Sequence, residues 1–298
     1  MPIASTTLTI GDGGLGVTRE LARPPALVGC SSSGTAAAAY LAASFEDALS
    51  TFGYGKLTAL AADVGVLTAS GQPVRFMPPQ PQKARDGLGY EARIALTGQV
   101  VTRGENWHDL LNALAWVSFP RAKAALSAAH AERLSQGGTA EARQRSPARD
   151  ALTLFDEGGV VVVASDPAWF GLIRAHAWKR LFWERRIALA RDVRVIAFGH
   201  ALMESMLTPY VGITARAIFL PADAGLIAAA PDDQRTAADA FVSEAVMRAQ
   251  RESSVLAQSP LPVLGIPGWH AEGECESFYD DQAYFRPLSR AAPEQGER

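Results

Sequence analysis

Two helices meeting at a corner constrain this chain more than any other feature. They are written in residues 106–130, NWHDLLNALAWVSFPRAKAALSAAH. Asn106 suits a helix N-cap, and Asp109, three positions on, fits a capping box. Trp107, Leu110, Leu111, Leu114 and Val117 then recur at the spacing of one apolar helix face. A second stripe, one turn apart, carries His108, Asn112 and Trp116. Phe119-Pro120 must end that helix, because a residue before proline avoids the helical region. Pro120 itself suits the first turn of a second helix, and the alanines and leucines of residues 122–134 continue it. No loop separates the two helices, so the rest of the chain has to pack around their bend.

The same stretch holds the best polar candidates. His108 and Asn112 make a notch on one helix side, with Arg121 and Lys123 placed to hold an anion nearby. The plainer alternative stays open: Asp109 caps the helix, His108 bonds a carbonyl and Trp116 belongs to the core.

A chain of 298 residues supports one large domain or two modest ones. Its net charge of −3 gives no overall attraction to nucleic acid or an anionic membrane, so neither is expected as a partner. No window reaches the roughly 20 apolar residues of a spanning helix, and the N-terminus lacks a signal-peptide pattern. Cys30 and Cys275 lie far apart without metal-ligand spacing, which favours a reducing compartment. A cytoplasmic location is the expectation.

Further along, residues 57–64 read as a short helix and 73–77 as a strand. Residues 90–96, 151–155, 160–164, 193–198 and 214–220 read as the strands of a mixed sheet packed by helices, an α+β fold. The run VVVVA has no polar alternation and should be buried on both faces. DEGG, at 156–159, reads as the turn of a hairpin between 151–155 and 160–164. Ser165-Asp166-Pro167 opens another helix. Residues 168–191 are helical and basic, with Lys179, Arg180, Arg185, Arg186 and Arg191, and Glu184 is placed to pair with Arg180. Residues 231–254 read as an amphipathic, largely exposed helix. The tail carries Leu261, Trp269, Phe278, Tyr279 and Phe285, too many large apolar groups for a free end, so it should dock. Residues 135–148 are polar and aperiodic, a flexible loop.

His200 follows a strand and Gly199, a junction that often carries site residues in α/β proteins, and Glu204 lies four residues on, on the same face. The candidate catalytic set is therefore His108, Asn112, His200 and Glu204. The candidate substrate-binding set is Arg121, Lys123, Arg149, Asp150 and Asp156. The chain has no HExxH, GxSxG, CxxC or paired-histidine metal motif, so a zinc enzyme is not expected and no metal ligands are assigned, while a divalent-metal hydrolase and the cofactor stay open. The glycine runs GDGGLG and CSSSGT lack the lysine of a P-loop and the strand–turn–helix setting of a dinucleotide site.

Residues 1–56 form a small Gly/Ser-rich segment of different texture. Its pieces TIGDGGLGV, ALVGCSSSGT and STFGYGKL resemble bacteriophage tail structural proteins. That likeness implies an assembly subunit, present here as a fragment in a gene fusion. YEARIALTGQV, NWHDLLNALAWVSFPRAKAAL, RDALTLFDEGGVVVVASDP, WKRLFWERR, FGHALMES, LPVLGIPGW and FYDDQAYFRP are similar to a second group, a bacterial family. It is the domain of unknown function numbered three thousand and twenty-five. The likeness spans residues 57–290 in the family's order and implies kinship without any activity to inherit. The expected organisation is a segment 1–56 and a main domain 57–298.

Two functions follow as expectations. One is a hydrolase-like enzyme for a small anionic substrate. In it His108 is the general base, oriented by Asn112 or a carboxylate, and Arg121 or Arg149 holds the anion. His200 with Glu204 then supplies a second acid/base pair or a metal ligand set. The alternative is a non-enzymatic binding or assembly protein, whose partner surface is the basic helix and its tryptophans. A pocket shared by His108, Asp150 or Asp156, and His200 would favour the enzyme.

Overall fold

The computed structural model describes residues 53–79, 89–104, 106–135 and 147–288. The chain enters with α1 (Tyr54–Val64), which packs on β1 (Arg75–Met77). After α2 (Tyr90–Thr97), β2 (Gln99–Val101) pairs in parallel with β1. Next come the corner helices, α3 (Trp107–Ser118) and α4 (Pro120–Ser135). Then α5 (Pro147–Gly158) runs directly into β3 (Gly159–Ala164). Beyond lie α6 (Ala168–Arg174), a π turn at Arg180–Glu184, α7 (Arg186–Asp192), β4 (Val193–Ala197) and α8 (His200–Ser205). The last elements are β5 (Thr214–Pro221), α9 (Ala224–Ala228), α10 (Pro231–Arg251) and β6 (Ser259–Pro262), followed by three short 3-10 turns.

The main sheet has the order β4-β3-β5-β6. Strand β3 runs antiparallel to β4 and parallel to β5, and β6 closes the edge antiparallel to β5. All six residues of β3 are buried, as the unbroken valine run requires of a strand covered on both faces. The fold is α+β, a small mixed sheet wrapped by helices.

Two expected strands are helices. Residues 90–96 form α2, since Glu91, Ala92, Ala95 and Leu96 are good helix formers that outweigh Tyr90 and Ile94. The helix stops at Gly98, whose φ of 69° lets its N–H close on the Ile94 carbonyl. A side chain there would also strike the Pro73 carbonyl. Residues 151–155 belong to α5, which buries Ala151, Leu152 and Phe155 at helical spacing. DEGG is thus no hairpin turn. Asp156 and Glu157 lie in the last turn of α5, and the glycines let the chain pass straight into β3.

Other expectations hold. Asn106 caps α3, its Oδ1 accepting from Asp109 N at 3.0 Å. Asp109 turns its carboxylate to Arg103, however, taking its backbone N–H and both guanidinium donors. One does not: the helix expected to be largely exposed over 231–254 ends at Arg251 and buries Gln234, Ala238, Asp239, Val242, Val246 and Ala249, because α10 packs on α4. The aromatic tail docks: Tyr284 Oη donates to the Ile213 carbonyl at 2.7 Å and accepts from Leu264 N at 3.0 Å. The basic stretch binds that tail, with Lys179 on Asp280 and Glu276 and Arg186 on Glu274.

Candidate functional site

Helices α3 and α8 pack side by side, and this contact brings two imidazoles together from positions 92 residues apart. His108 Nε2 and His200 Nε2 are 3.1 Å apart, with the rings inclined at 71° and their centroids separated by 4.5 Å. Each ring is held by its other nitrogen. His108 Nδ1 donates to Glu204 Oε2 at 3.0 Å, and His200 Nδ1 donates to the backbone carbonyl of Asp156 at 2.9 Å. A carboxylate and a carbonyl can only accept, so both Nδ1 atoms carry a proton, and in the neutral rings both Nε2 atoms present lone pairs. Glu204 therefore serves His108 and not His200, although it shares a helix with His200.

A close backbone approach makes this pairing possible. Gly199 N donates to the Gly159 carbonyl at 2.9 Å, tying the start of α8 to the start of β3. A Cβ on Gly199 would lie 2.3 Å from the Glu157 carbonyl oxygen, so only glycine lets the two junctions touch. The same junction carries Glu157, whose exposed carboxylate lies with the two imidazoles: its oxygen and their nitrogens all fall within 4.8 Å of one another.

Exposure divides the pair. His200 is 4% exposed, whereas the side chains of His108 and Glu204 are 32% and 42% exposed. Burial, reinforced by the Lys123 ammonium, pushes the His200 pKa down to about 4, so this ring is neutral near pH 7.

Behind the imidazoles lies a second polar cluster. Lys123, buried at the α3–α4 corner, donates to Asp156 Oδ1 at 2.5 Å and to Asn112 Oδ1 at 2.8 Å. Asn112 Nδ2 donates in turn to Tyr90 Oη at 3.1 Å. Burial works to raise the Asp156 carboxyl, but Lys123 and His200 outweigh it and hold the pKa below the ordinary value. Ser127 Oγ donates to Glu91 Oε2 at 3.0 Å, and burial pushes the Glu91 pKa up to about 7.

The candidates from sequence thus fall into three groups. His108, His200 and Glu204 meet at one point. Asn112, Lys123 and Asp156 form the supporting network, joined to the pair through the Asp156 main chain. Arg121, Arg149 and Asp150 stand apart from the pair. Arg121 is exposed in the first turn of α4, past the end of α3 opposite His108. Arg149 bears on Glu91, and Asp150 is exposed in the first turn of α5.

Sequence reasoning missed Glu157, Arg103, Glu91, Ser127 and Tyr90. Only Glu157 left a signal, an acid beside a Gly-Gly junction. Arg103, whose side chain is 60% exposed, bears electrostatically on Glu204. Two hollows lie elsewhere among the described residues. One of about 480 Å³ is bounded by Arg174, Phe219, Phe241 and Arg248, and one of about 290 Å³ by Thr68, Ser70, Ala95 and Ser127. Neither is lined by His108, Asp150, Asp156 or His200, so neither is the shared pocket that would favour an enzyme.

These elements define an α+β protein with a paired-imidazole, carboxylate-supported centre. The chain belongs to the family described as "Protein of unknown function (DUF3025)", whose model matches residues 74–289. The match starts some way after residue 57, where the likeness was expected to begin. The match does not reach residues 1–56, for which a phage-tail likeness was expected; residues 1–52 lie outside the described residues, and Tyr54 to Lys56 belong to α1. No curated protein and no solved structure matches the chain. Among the described residues, no helix is long and apolar enough to cross a membrane.

Proposed function

We propose that the protein is a hydrolase-type enzyme that activates water at the His108–His200 pair and acts on a small anionic substrate. The observation that carries this reading is the approach of the two Nε2 atoms to 3.1 Å, each ring oriented through its Nδ1. Glu204 and His108 make a carboxylate–imidazole dyad, in which the carboxylate fixes the tautomer and stabilises the imidazolium once a proton is taken from water. His108 is open to solvent and can reach that water, while buried His200 is held neutral beside it. Lys123, Asp156 and Asn112 act through the Asp156 main chain that orients His200, and the Lys123 charge helps keep that ring neutral. Arg103 is the anion contact. Asp109 occupies part of its guanidinium, which has five N–H donors, and leaves others for a substrate oxygen.

The test is turnover by the full chain on a panel of phosphomonoesters, phosphodiesters and carboxylic esters. His108→Ala is expected to lower kcat/KM by at least about 100-fold with an unchanged circular dichroism spectrum, as removal of a general base does. Arg103→Ala is expected to raise KM more than it lowers kcat. Equal turnover by His108→Ala and the parent protein, or no turnover on any ester, overturns the reading.

A further inference from the structure

We infer that His108, Glu157 and His200 form a binding site for one divalent transition-metal ion of the zinc type, with a coordination position left open to water. It deepens the hydrolytic reading above and rests on it for its purpose, but the binding itself stands on separate geometry.

Both Nδ1 atoms are committed as donors, so both Nε2 lone pairs face the same small space from 3.1 Å apart. Two lone pairs at that distance repel unless something electropositive lies between or beside them. The same contact fits a hydrogen bond when one ring carries a proton on Nε2, so a metal binds here in competition with that proton. The rings are inclined at 71°, and the Glu157 oxygen and the two ring nitrogens all lie within 4.8 Å of one another. For metal–nitrogen bonds of about 2.1 Å, nitrogens 3.1 Å apart subtend about 95° at the metal, between octahedral and tetrahedral values.

The surroundings match that use. Histidine ligands of metals commonly donate their second N–H to a carboxylate or a backbone carbonyl, which fixes the ring and raises its donor strength. His108 has the first kind of partner, Glu204, and His200 the second, the Asp156 carbonyl. The residue after Asp156 supplies the third donor, so one helix end both orients a ligand and provides one. The Glu157 oxygen lies within 4.8 Å of the two nitrogens, on an exposed side chain. Two imidazoles and a carboxylate leave a position for water, the arrangement of catalytic and not structural zinc. Two carboxyl groups, Glu157 and Glu204, stand at the pair, and the Lys123 ammonium behind it is paired with Asp156. A bound dication would then supply the positive charge that an anionic substrate needs there.

The test is metal binding by the full chain after dialysis against a chelator. Zn²⁺ and Co²⁺ are titrated by calorimetry, with the visible absorption of Co²⁺ reporting its ligand field. Cys275 is exposed, so the measurement is made in a Cys275→Ser background. One equivalent of each metal should bind. His108→Ala, a half-exposed position where the fold should survive, and the exposed Glu157→Gln should each weaken binding by at least 10-fold. Glu204→Gln should weaken it by about 10–100-fold, the usual effect of losing a ligand's supporting partner. Absence of stoichiometric binding, or binding undiminished in His108→Ala, overturns the inference. Ester hydrolysis that persists in the metal-free protein also removes the metal's role while leaving the hydrolytic reading intact. Tight binding without turnover of any ester does the reverse.

Discussion

Glu91 shows how much one residue depends on its surroundings. A carboxylate taken out of water needs donors in exchange, and Glu91 has one hydroxyl, from Ser127. Burial, with the nearby Asp156 carboxylate, raises its pKa to about 7, and Ser127, Lys123 and Arg149 offset only part of that. The folded state therefore holds this proton more tightly than the unfolded chain, whose ordinary value is 4.5. The contribution to stability is fully present below pH 4.5 and is lost as pH rises through about 7. Glu91→Gln should thus stabilise the protein above pH 7, by on the order of 2 kcal/mol, and change little at pH 4. Thermal unfolding at a series of pH values measures this, and a variant curve parallel to the parent's would refute it. His200 carries the opposite sign. Its pKa falls from 6.5 to about 4, so its contribution is present above pH 6.5 and is lost as pH drops through about 4. Neither shift is legible in the sequence, because each is set by what the tertiary fold places around the group.

At the scale of elements, junctions decide more than the elements do. Gly199 has an ordinary φ of −67°, so its need for glycine is steric and not conformational. Gly199→Ala would force the α8 start away from the Glu157 carbonyl and part the two imidazoles. A loss on the order of 3 kcal/mol is expected on denaturant unfolding, typical of overpacking at a rigid backbone contact. Any surviving folded protein should have lost the site. The corner between α3 and α4 has a similar dependence on a distant residue. Asp239, on α10, accepts from the backbone N–H of Ala122 at 2.8 Å and of Arg121 at 3.3 Å, doing for α4 what a local cap does elsewhere. Asp239→Ala should cost about 2 kcal/mol, the upper range for a lost cap, because the orphaned donors are partly buried. The start of α4 was legible from Pro120, but its cap was not, since 117 residues separate donor and acceptor.

For the molecule as a whole, the tail is the last piece that completes the core. Phe278, Tyr279, Tyr284 and Phe285 pack on one another, and Phe182 reaches Tyr279 and Phe285 from the π turn. Gly265 lies so close to Phe182 and Phe285 that a Cβ there would meet both rings. Tyr284 ties two elements through one hydroxyl, which donates to Ile213 and accepts from Leu264. Tyr284→Phe should cost about 1–2 kcal/mol, as two buried backbone groups lose their partner. Tryptophan fluorescence and far-UV circular dichroism should still report one coincident transition, as expected of a core shared by sheet and tail. Separate transitions would show that the tail folds on its own.

The sequence by itself determined whatever depends on neighbours along the chain. That includes the Asn106 cap, the break at Phe119-Pro120, the doubly buried valine strand, the β4 and β5 strands and the docking of an aromatic tail. Periodicity and capping are local, so they are written where they act. It misread residues 90–96 and 151–155, where short apolar segments suit a strand and a helix equally and flanking context tips the balance. Only the tertiary structure decided what His108 and His200 are to each other. The α3–α8 contact and the bare backbone of Gly199 set that relation, and neither has a trace in the spacing of two histidines 92 residues apart.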